Sequence, residues 1–240
     1  MKFLFRYWLA ASLIILPVAG VYAESSKVAD KVKVTRLWYL EKETGTDPIK
    51  MRYLISDRYM RIDEGYPKDD YVLYDNASHT IYNINHEDRT MMVIHQRDWQ
   101  SPAFAFKHAQ SHKMLIGSPR IADKTVVSFQ STAGGKVCAD IQLLPDVFSR
   151  EQQLFQAYQT VLSGQSIASL KNTPKEYQTP CFLVDDIYNS GDYYQLGLPV
   201  NEWHARGYSR LLQDFGSAEV SPELFQLPKG YSEYQPIGIK

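Results

Sequence analysis

The apolar positions between Lys31 and His95 fall in short runs with a period of two, broken at regular intervals by turn-forming residues. Lys31–Leu40 (KVKVTRLWYL) carries Val32, Val34, Trp38 and Leu40 on one parity, although its second half is apolar on both. Thr44-Gly45-Thr46-Asp47-Pro48 reads as a turn, after which Met51, Tyr53 and Ile55 share a parity. Ser56-Asp57 breaks the pattern, Tyr59–Asp63 resumes it, and Gly65-Tyr66-Pro67-Lys68-Asp69 forms the next loop. Tyr71–Asp75 is the following strand, and Thr80–Asn85 with Thr90–His95 forms a hairpin about Glu87-Asp88. Short β-branched and aromatic runs at this spacing predict an antiparallel meander, in which neighbours in sequence pair in space.

Trp99–His112 is interrupted by Pro102, and Ala103–Lys107 fits a short strand as well as a helical turn. A second hairpin joins Thr125–Gln130 to Lys136–Leu144 through Ala133-Gly134-Gly135, where paired glycines supply the positive φ of a tight turn. After Pro145 the period changes. Phe148, Leu154, Phe155, Tyr158, Val161 and Leu162 recur at helical spacing, with Ser149 and Gln152 as a capping box or Asp146 as cap, and Gly164 as stop. Residues 145–190 are therefore expected to be mainly helical, with a polar connection at Lys171–Pro180 and a second helix between Cys181 and Gly191. Leu211–Phe215 and Glu223–Gln226 read as closing strands. The fold class is α+β, mainly β.

The first 23 residues change the compartment. Lys2 and Arg6 precede an apolar run from Trp8 to Val21, and Val21-Tyr22-Ala23 supplies the small residues of a cleavage site before Glu24. The run is shorter than a membrane span and carries Pro17 and Gly20. It reads as a cleavable signal peptide ahead of one exported, periplasmic domain over 24–240, with no transmembrane segment after cleavage. Loss of Lys2 and Arg6 leaves 24 Lys and Arg against 27 Asp and Glu. A mildly acidic chain without a basic block argues against nucleic acid as partner. In an oxidising compartment the two cysteines, Cys138 and Cys181, are expected to form one disulfide.

Familiar reaction motifs are missing. His108 and His112 have helical ligand spacing but lack the following Glu of a zinc protease, and they read as a surface pair. His79, His86 and His95 border the first hairpin and read as structural. Gly164-Gln165-Ser166-Ile167-Ala168 ends in Ala and follows a helix, unlike a nucleophile elbow. Asp69-Asp70 and Asp185-Asp186 are adjacent in sequence and read as solvated turn residues. No catalytic residue, cofactor or metal is expected. The distinctive feature is aromatic content: 17 tyrosines, several in predicted strands. Trp38, Tyr53, Tyr59, Tyr71, Tyr74 and Tyr82 are candidates either for ordinary sheet packing or for the wall of a groove.

Within Met51–His95, the run Asp57-Arg58-Tyr59-Met60-Arg61-Ile62-Asp63, the aspartate-rich strand and the hairpin resemble a group of bacterial exported proteins. The closing Phe225-Gln226-Leu227-Pro228-Lys229-Gly230-Tyr231 adds to the likeness. The group looks related to the periplasmic lipoprotein-carrier superfamily and its domain-of-unknown-function branches. The resemblance implies an unclosed β-barrel, a curved antiparallel sheet with helices in its concavity, and carries over no binding residue. It departs from the carriers in lacking a helix before the first strand. The function it implies is non-enzymatic: a periplasmic carrier or chaperone-like protein for a lipid, an acylated protein or a hydrophobic segment. An envelope enzyme or enzyme accessory, and a structural partner in an envelope complex, are the alternatives.

Overall fold

The structure, a computed structural model, describes residues 30–100, 103, 106–117, 120–188 and 190–236. The expected signal peptide lies outside the described residues. Twelve strands among the described residues form one sheet. In chain order they are β1 (Val32–Lys42), β2 (Ile49–Ile55), β3 (Tyr59–Asp63), β4 (Tyr71–Asp75), β5 (Thr80–Asn85), β6 (Thr90–His95), β7 (His108–Met114), β8 (Val127–Ala133), β9 (Lys136–Leu144), β10 (Leu198–His204), β11 (Ser209–Val220) and β12 (Ser232–Tyr234). The order across the sheet is β12-β6-β5-β4-β3-β2-β1-β11-β10-β9-β8-β7, so the sheet is not closed. Every pairing is antiparallel except β12 against β6. The β1–β6 meander follows the sequence reading. The central seam does not, because β1 pairs with β11, whose residues come almost 180 positions later.

One face of the sheet carries the larger core. Leu37 and Tyr39 of β1, Tyr53 and Ile55 of β2, Ile62, Tyr74 and Ile81 pack with Phe129, Ile141 and Leu143 from β8 and β9. Helix α1 (Ser149–Leu170) contributes Leu154, Phe155 and Val161 to the same cluster. Fully burying a side chain of this size contributes about 1.5–3 kcal/mol. The inward parity of β1 is therefore Leu37 and Tyr39, while Val32, Val34 and Trp38 belong to the other face. That other face has a smaller core over β1–β6, made by Val34, Leu54, Tyr71, Leu73, Ile84, Met91 and Val93. The C-terminal segment covers it through Leu224, Phe225 and Tyr231.

Several sequence expectations are corrected. Strands β7, β10 and β12 were not foreseen, and β11 is longer than Leu211–Phe215. Glu223–Gln226 is not a strand: Pro222–Phe225 is a short 3-10 turn that drops Phe225 onto the second face. His108 and His112 lie on strand β7, which is exposed from Ala109 onward, in keeping with a surface pair. Helix α1 runs through Gly164, where the missing Cβ allows close approach of Trp99 (3.2 Å from an ideal Cβ to Trp99 Cδ1). Its N-cap is Phe148 at φ 55° with no side-chain cap, so neither Asp146 nor the Ser149–Gln152 box operates. Instead, Gln152 donates its side-chain amide to the Val147 carbonyl.

The disulfide expectation holds. Cys138 on β9 is bonded to Cys181 in the short helix α2 (Pro180–Leu183), across 43 positions. Closing a loop of that length stabilises by about 4 kcal/mol on the chain-entropy account. Directly after α2 the chain makes one π-helical turn, Val184–Tyr188.

Candidate functional site

A cavity of about 480 Å³ lies between the first face of the sheet and the helical section. Its floor is set by strand register. Arg210 on β11 stands opposite Glu41 on β1 and opposite Glu202 on β10, so an acid–arginine–acid row crosses three adjacent strands. Directly opposite residues bring their Cβ atoms within about 5 Å of each other. His204, two residues along β10 from Glu202, points to the same face and also lines the cavity.

Arg210 is 5 % exposed. It donates to Glu202, to the Tyr194 hydroxyl at 2.9 Å and to the Tyr53 hydroxyl at 3.3 Å. Its guanidinium lies 4.5 Å from the centre of the Tyr39 ring. Its Nε is buried and has no hydrogen-bond partner among the described residues. Burial works against the charged form of Glu202, but Arg210 and His204 together outweigh it and hold the carboxyl below the usual range. The Tyr53 hydroxyl in turn donates to Glu41 Oε1 at 2.6 Å. Burial first, and then the Glu41 charge, push the Tyr53 phenol well up, so it stays a donor.

The disulfide brings the other wall. Cys181 fixes α2 against β9, and the π turn that follows places Asp185 and Asp186 in the cavity. Their side chains are 6 % and 28 % exposed, so the reading of this pair as solvated is overturned. Both neighbours of the π turn line the cavity, whereas consecutive residues of a strand would point to opposite faces. Asp185 Oδ2 lies 3.3 Å from His204 Nδ1, and Glu202 Oε2 lies 3.5 Å from Nε2. Burial favours the neutral ring, but the bonds to Asp185 and then Glu202 prevail and raise its pKa to about 9. His204 is thus an imidazolium at neutral pH, a fixed cation and a poor base. Asp186 pairs with Arg206, yet burial, helped by Asp185, raises its carboxyl above the usual range.

The remaining lining mixes polar residues, Glu43, Ser131, Gln159 and Ser190, with a larger apolar and aromatic part that includes Met51, Phe129, Phe155, Tyr158, Leu162 and Tyr194. Tyr194 stacks on Phe155 at 5.0 Å, with planes 2° apart, and Tyr193 packs against it. The cavity is therefore two-sided, with an aromatic and aliphatic wall facing a row of charges.

The aromatic candidates divide between the two faces. Tyr53 lines the cavity, and Tyr74 lies on the same face, edge-on to Tyr158. Tyr59 stacks on Phe225, Tyr71 donates to the Gln226 carbonyl, and Tyr82 packs against the second core, all on the opposite face. Trp38 is on that face too, under Lys50 and Arg52. His79, His86 and His95 meet Tyr74, Tyr231 and Thr80 respectively. Asp69 and Asp70 accept backbone N–H groups from Tyr66 and His86. Sequence reasoning missed Glu41, Glu202, His204 and Arg210. Among the described residues no group of three His, Cys, Asp or Glu side chains is arranged to hold a metal ion.

No family model matches the chain, and no curated protein matches it. Among solved structures, a chain described as "Structure of PNGF-II in C2 space group" is similar at 6 % identity and a TM-score of 0.39. The match covers 85 % of this chain and 31 % of that one, and carries no argument about fold or function.

Proposed function

We propose that this protein is exported to the periplasm, cleaved after Ala23, and acts there as a non-enzymatic binding or carrier protein for a small amphiphile. In this reading the sheet curves around the helical section, and the cavity lies on its concave side. Support comes from the single core cluster in which α1 is shared by strands from both ends of the sheet. The two-sided lining carries the functional reading. Met51, Phe129, Phe155 and Leu162 suit an apolar portion, while Glu41, Glu202, His204 and Arg210 suit a polar head. Ligand pockets of this size are mostly apolar with a few placed polar groups. The likeness to periplasmic lipoprotein carriers points the same way. The disulfide fits an oxidising compartment, and no helix among the described residues is long and apolar enough to cross a membrane.

Native mass spectrometry on residues 24–240, purified from an oxidising compartment without detergent, tests this. A reproducible added mass that organic solvent removes is the expected result. A clean apo mass together with no affinity for any alkyl amphiphile removes the reading.

One observation favours a second reading, an envelope enzyme. Asp186 has a raised carboxyl pKa in a cavity built from distant segments, as a general acid requires. On that account Asp186→Asn abolishes turnover of a hydrolysable substrate while leaving its binding intact; on the carrier account it alters binding alone.

A further inference from the structure

The second face of the sheet is covered unevenly. Over β1–β6 the C-terminal segment packs on it, whereas over β8–β10 Asp140, Gln142, Asn201 and Trp203 are exposed. Strand register sets these side chains in rows. Trp203 on β10 stands opposite Asp140 on β9, and Asp140 stands opposite Gln130 on β8; two residues along, Asn201, Gln142 and Ser128 form the next row. They alternate along their strands with Glu202, Phe129 and Ile141, which belong to the cavity side. Together with Val137, Trp203 and its polar neighbours line a shallow hollow.

The fold makes little use of the groups in this hollow. Trp203 is 49 % exposed. An aromatic side chain on a sheet gains most from an aromatic or β-branched residue across the strand, but the residues directly opposite Trp203 are Asp140 and Ser209. Among the described residues its ring meets no other aromatic ring, and its indole N–H has no acceptor. Gln142 and Asn201 make no side-chain hydrogen bond among the described residues, and Gln130 reaches Asp140 only at 3.4 Å. The hollow thus combines a bare aromatic face with amide donors and acceptors that nothing in the fold engages.

That combination complements a saccharide. A pyranose carries C–H groups on its faces, which pack on the electron-rich face of an aromatic ring. Its rim carries hydroxyls, each a donor and an acceptor, and amide side chains offer both roles in return. The lining holds one carboxylate and no cation, which disfavours nucleic acid and other polyanions. Three adjacent strands, about 4.8 Å apart, give a row long enough for a short run of linked sugars laid across them.

We propose that the outer face of β8–β10 is a binding platform for a neutral, extended glycan. Trp203 stacks on one pyranose, and Gln130, Asp140, Gln142 and Asn201 bond the hydroxyls of that ring and its neighbours. The site lies on the opposite face from the cavity and does not depend on what the cavity holds.

Calorimetric titration of the oxidised chain 24–240 with chitotetraose, cellotetraose and maltotetraose tests this. The first two are extended and β-linked, while the third is curved. Saturable binding of chitotetraose or cellotetraose is expected, with a Kd of about 1 mM or below. Trp203→Ala is expected to weaken it about tenfold, the scale of one lost aromatic contact, with an unaltered urea midpoint as control for folding. Trp203→Phe keeps a ring and is expected to retain most of the affinity. Absence of saturable binding by both β-linked probes, binding of maltotetraose alone, or an unchanged Kd in Trp203→Ala overturns the proposal. The unaltered chain decides the matter even if Trp203→Ala does not fold. The indole N–H resonance that Trp203→Phe removes is expected to shift as the β-linked probe is added, and a resonance that stays in place during saturable binding overturns the assignment.

Discussion

Two buried arginines, one on each face of the sheet, are built from similar parts and serve different ends. Arg61 on β3 is 6 % exposed, bonds Asp63 at 2.6 Å, and lies 3.6 Å from the centre of the Tyr71 ring. Arg52 makes a two-pronged contact with the same aspartate, whose side chain is wholly buried. Arg61 completes its bonding by donating to the Leu224 carbonyl, which ties the C-terminal segment onto the second face. Arg210 is as deeply buried and as well supplied with a carboxylate and tyrosines, but it borders a cavity, and its Nε has no acceptor among the described residues. A buried charge network costs desolvation wherever it stands. On one face the network clamps the C-terminal segment; on the other it borders the cavity.

The largest expected effect breaks the clamp. Asp63→Ala leaves two guanidiniums without their shared acceptor and is expected to cost about 5 kcal/mol, the upper end for breaking a buried pair. The urea midpoint reads it, and ligand retention in whatever fraction stays folded is expected to be unchanged.

Removing the disulfide acts on the other side of the comparison. Replacing Cys138 and Cys181 together by Ser is expected to cost about 4 kcal/mol. It also releases the turn bearing Asp185 and Asp186, so binding of an alkyl amphiphile falls more steeply than stability alone explains. A double variant that loses stability but binds normally would show that the π turn holds its place without the disulfide.

The third prediction separates the clusters by pH. His204 has a folded pKa of about 9 against an ordinary value of 6.5. A raised pKa means the folded state holds the proton more tightly. The stabilisation is therefore fully present below pH 6.5 and is lost as pH rises through 9. Its size is about 3 kcal/mol, and His204→Gln is expected to flatten the urea midpoint across that window. A midpoint just as pH-dependent in the variant would take His204 out of the account.

The smallest effect is a control outside both clusters. Arg36 pairs with Asp214 at 3.0 Å on an exposed part of the β1–β11 seam. Arg36→Ala is expected to change stability by less than about 0.5 kcal/mol, as exposed pairs usually do. A loss of several kcal/mol would mean that the seam depends on side-chain pairing as well as on its ladder.

Local chemistry made much of this legible from the chain. The β1–β6 meander follows from alternation and turns, because both sides of each pairing lie within a few residues. The β8–β9 hairpin follows from Gly134-Gly135, which do take positive φ, 57° and 79°. The aromatic candidates were harder. Tyr59 and Tyr71 lie on strands whose two faces are both covered, so parity alone could not say which cover they meet. Glu202 and His204 alternate with Trp203 on β10, but the usual burial is inverted: the polar side faces the cavity and Trp203 is exposed, so hydrophobic alternation gave no sign of the site. Leu211–Phe215 was recognised as a strand, but Arg210 just before it carried no signal of its own.

By itself the sequence determined the β1–β6 meander, the β8–β9 hairpin, the main helix and the pairing of its two cysteines, because each depends on near neighbours or on having one possible partner. The tertiary structure alone decided that β11 closes against β1. That single long-range pairing sets Arg210 between Glu41 and Glu202, and a one-residue slip of β11 would send Arg210 to the face opposite both. The site is a product of register, and register between distant strands is settled only when their shared core is buried.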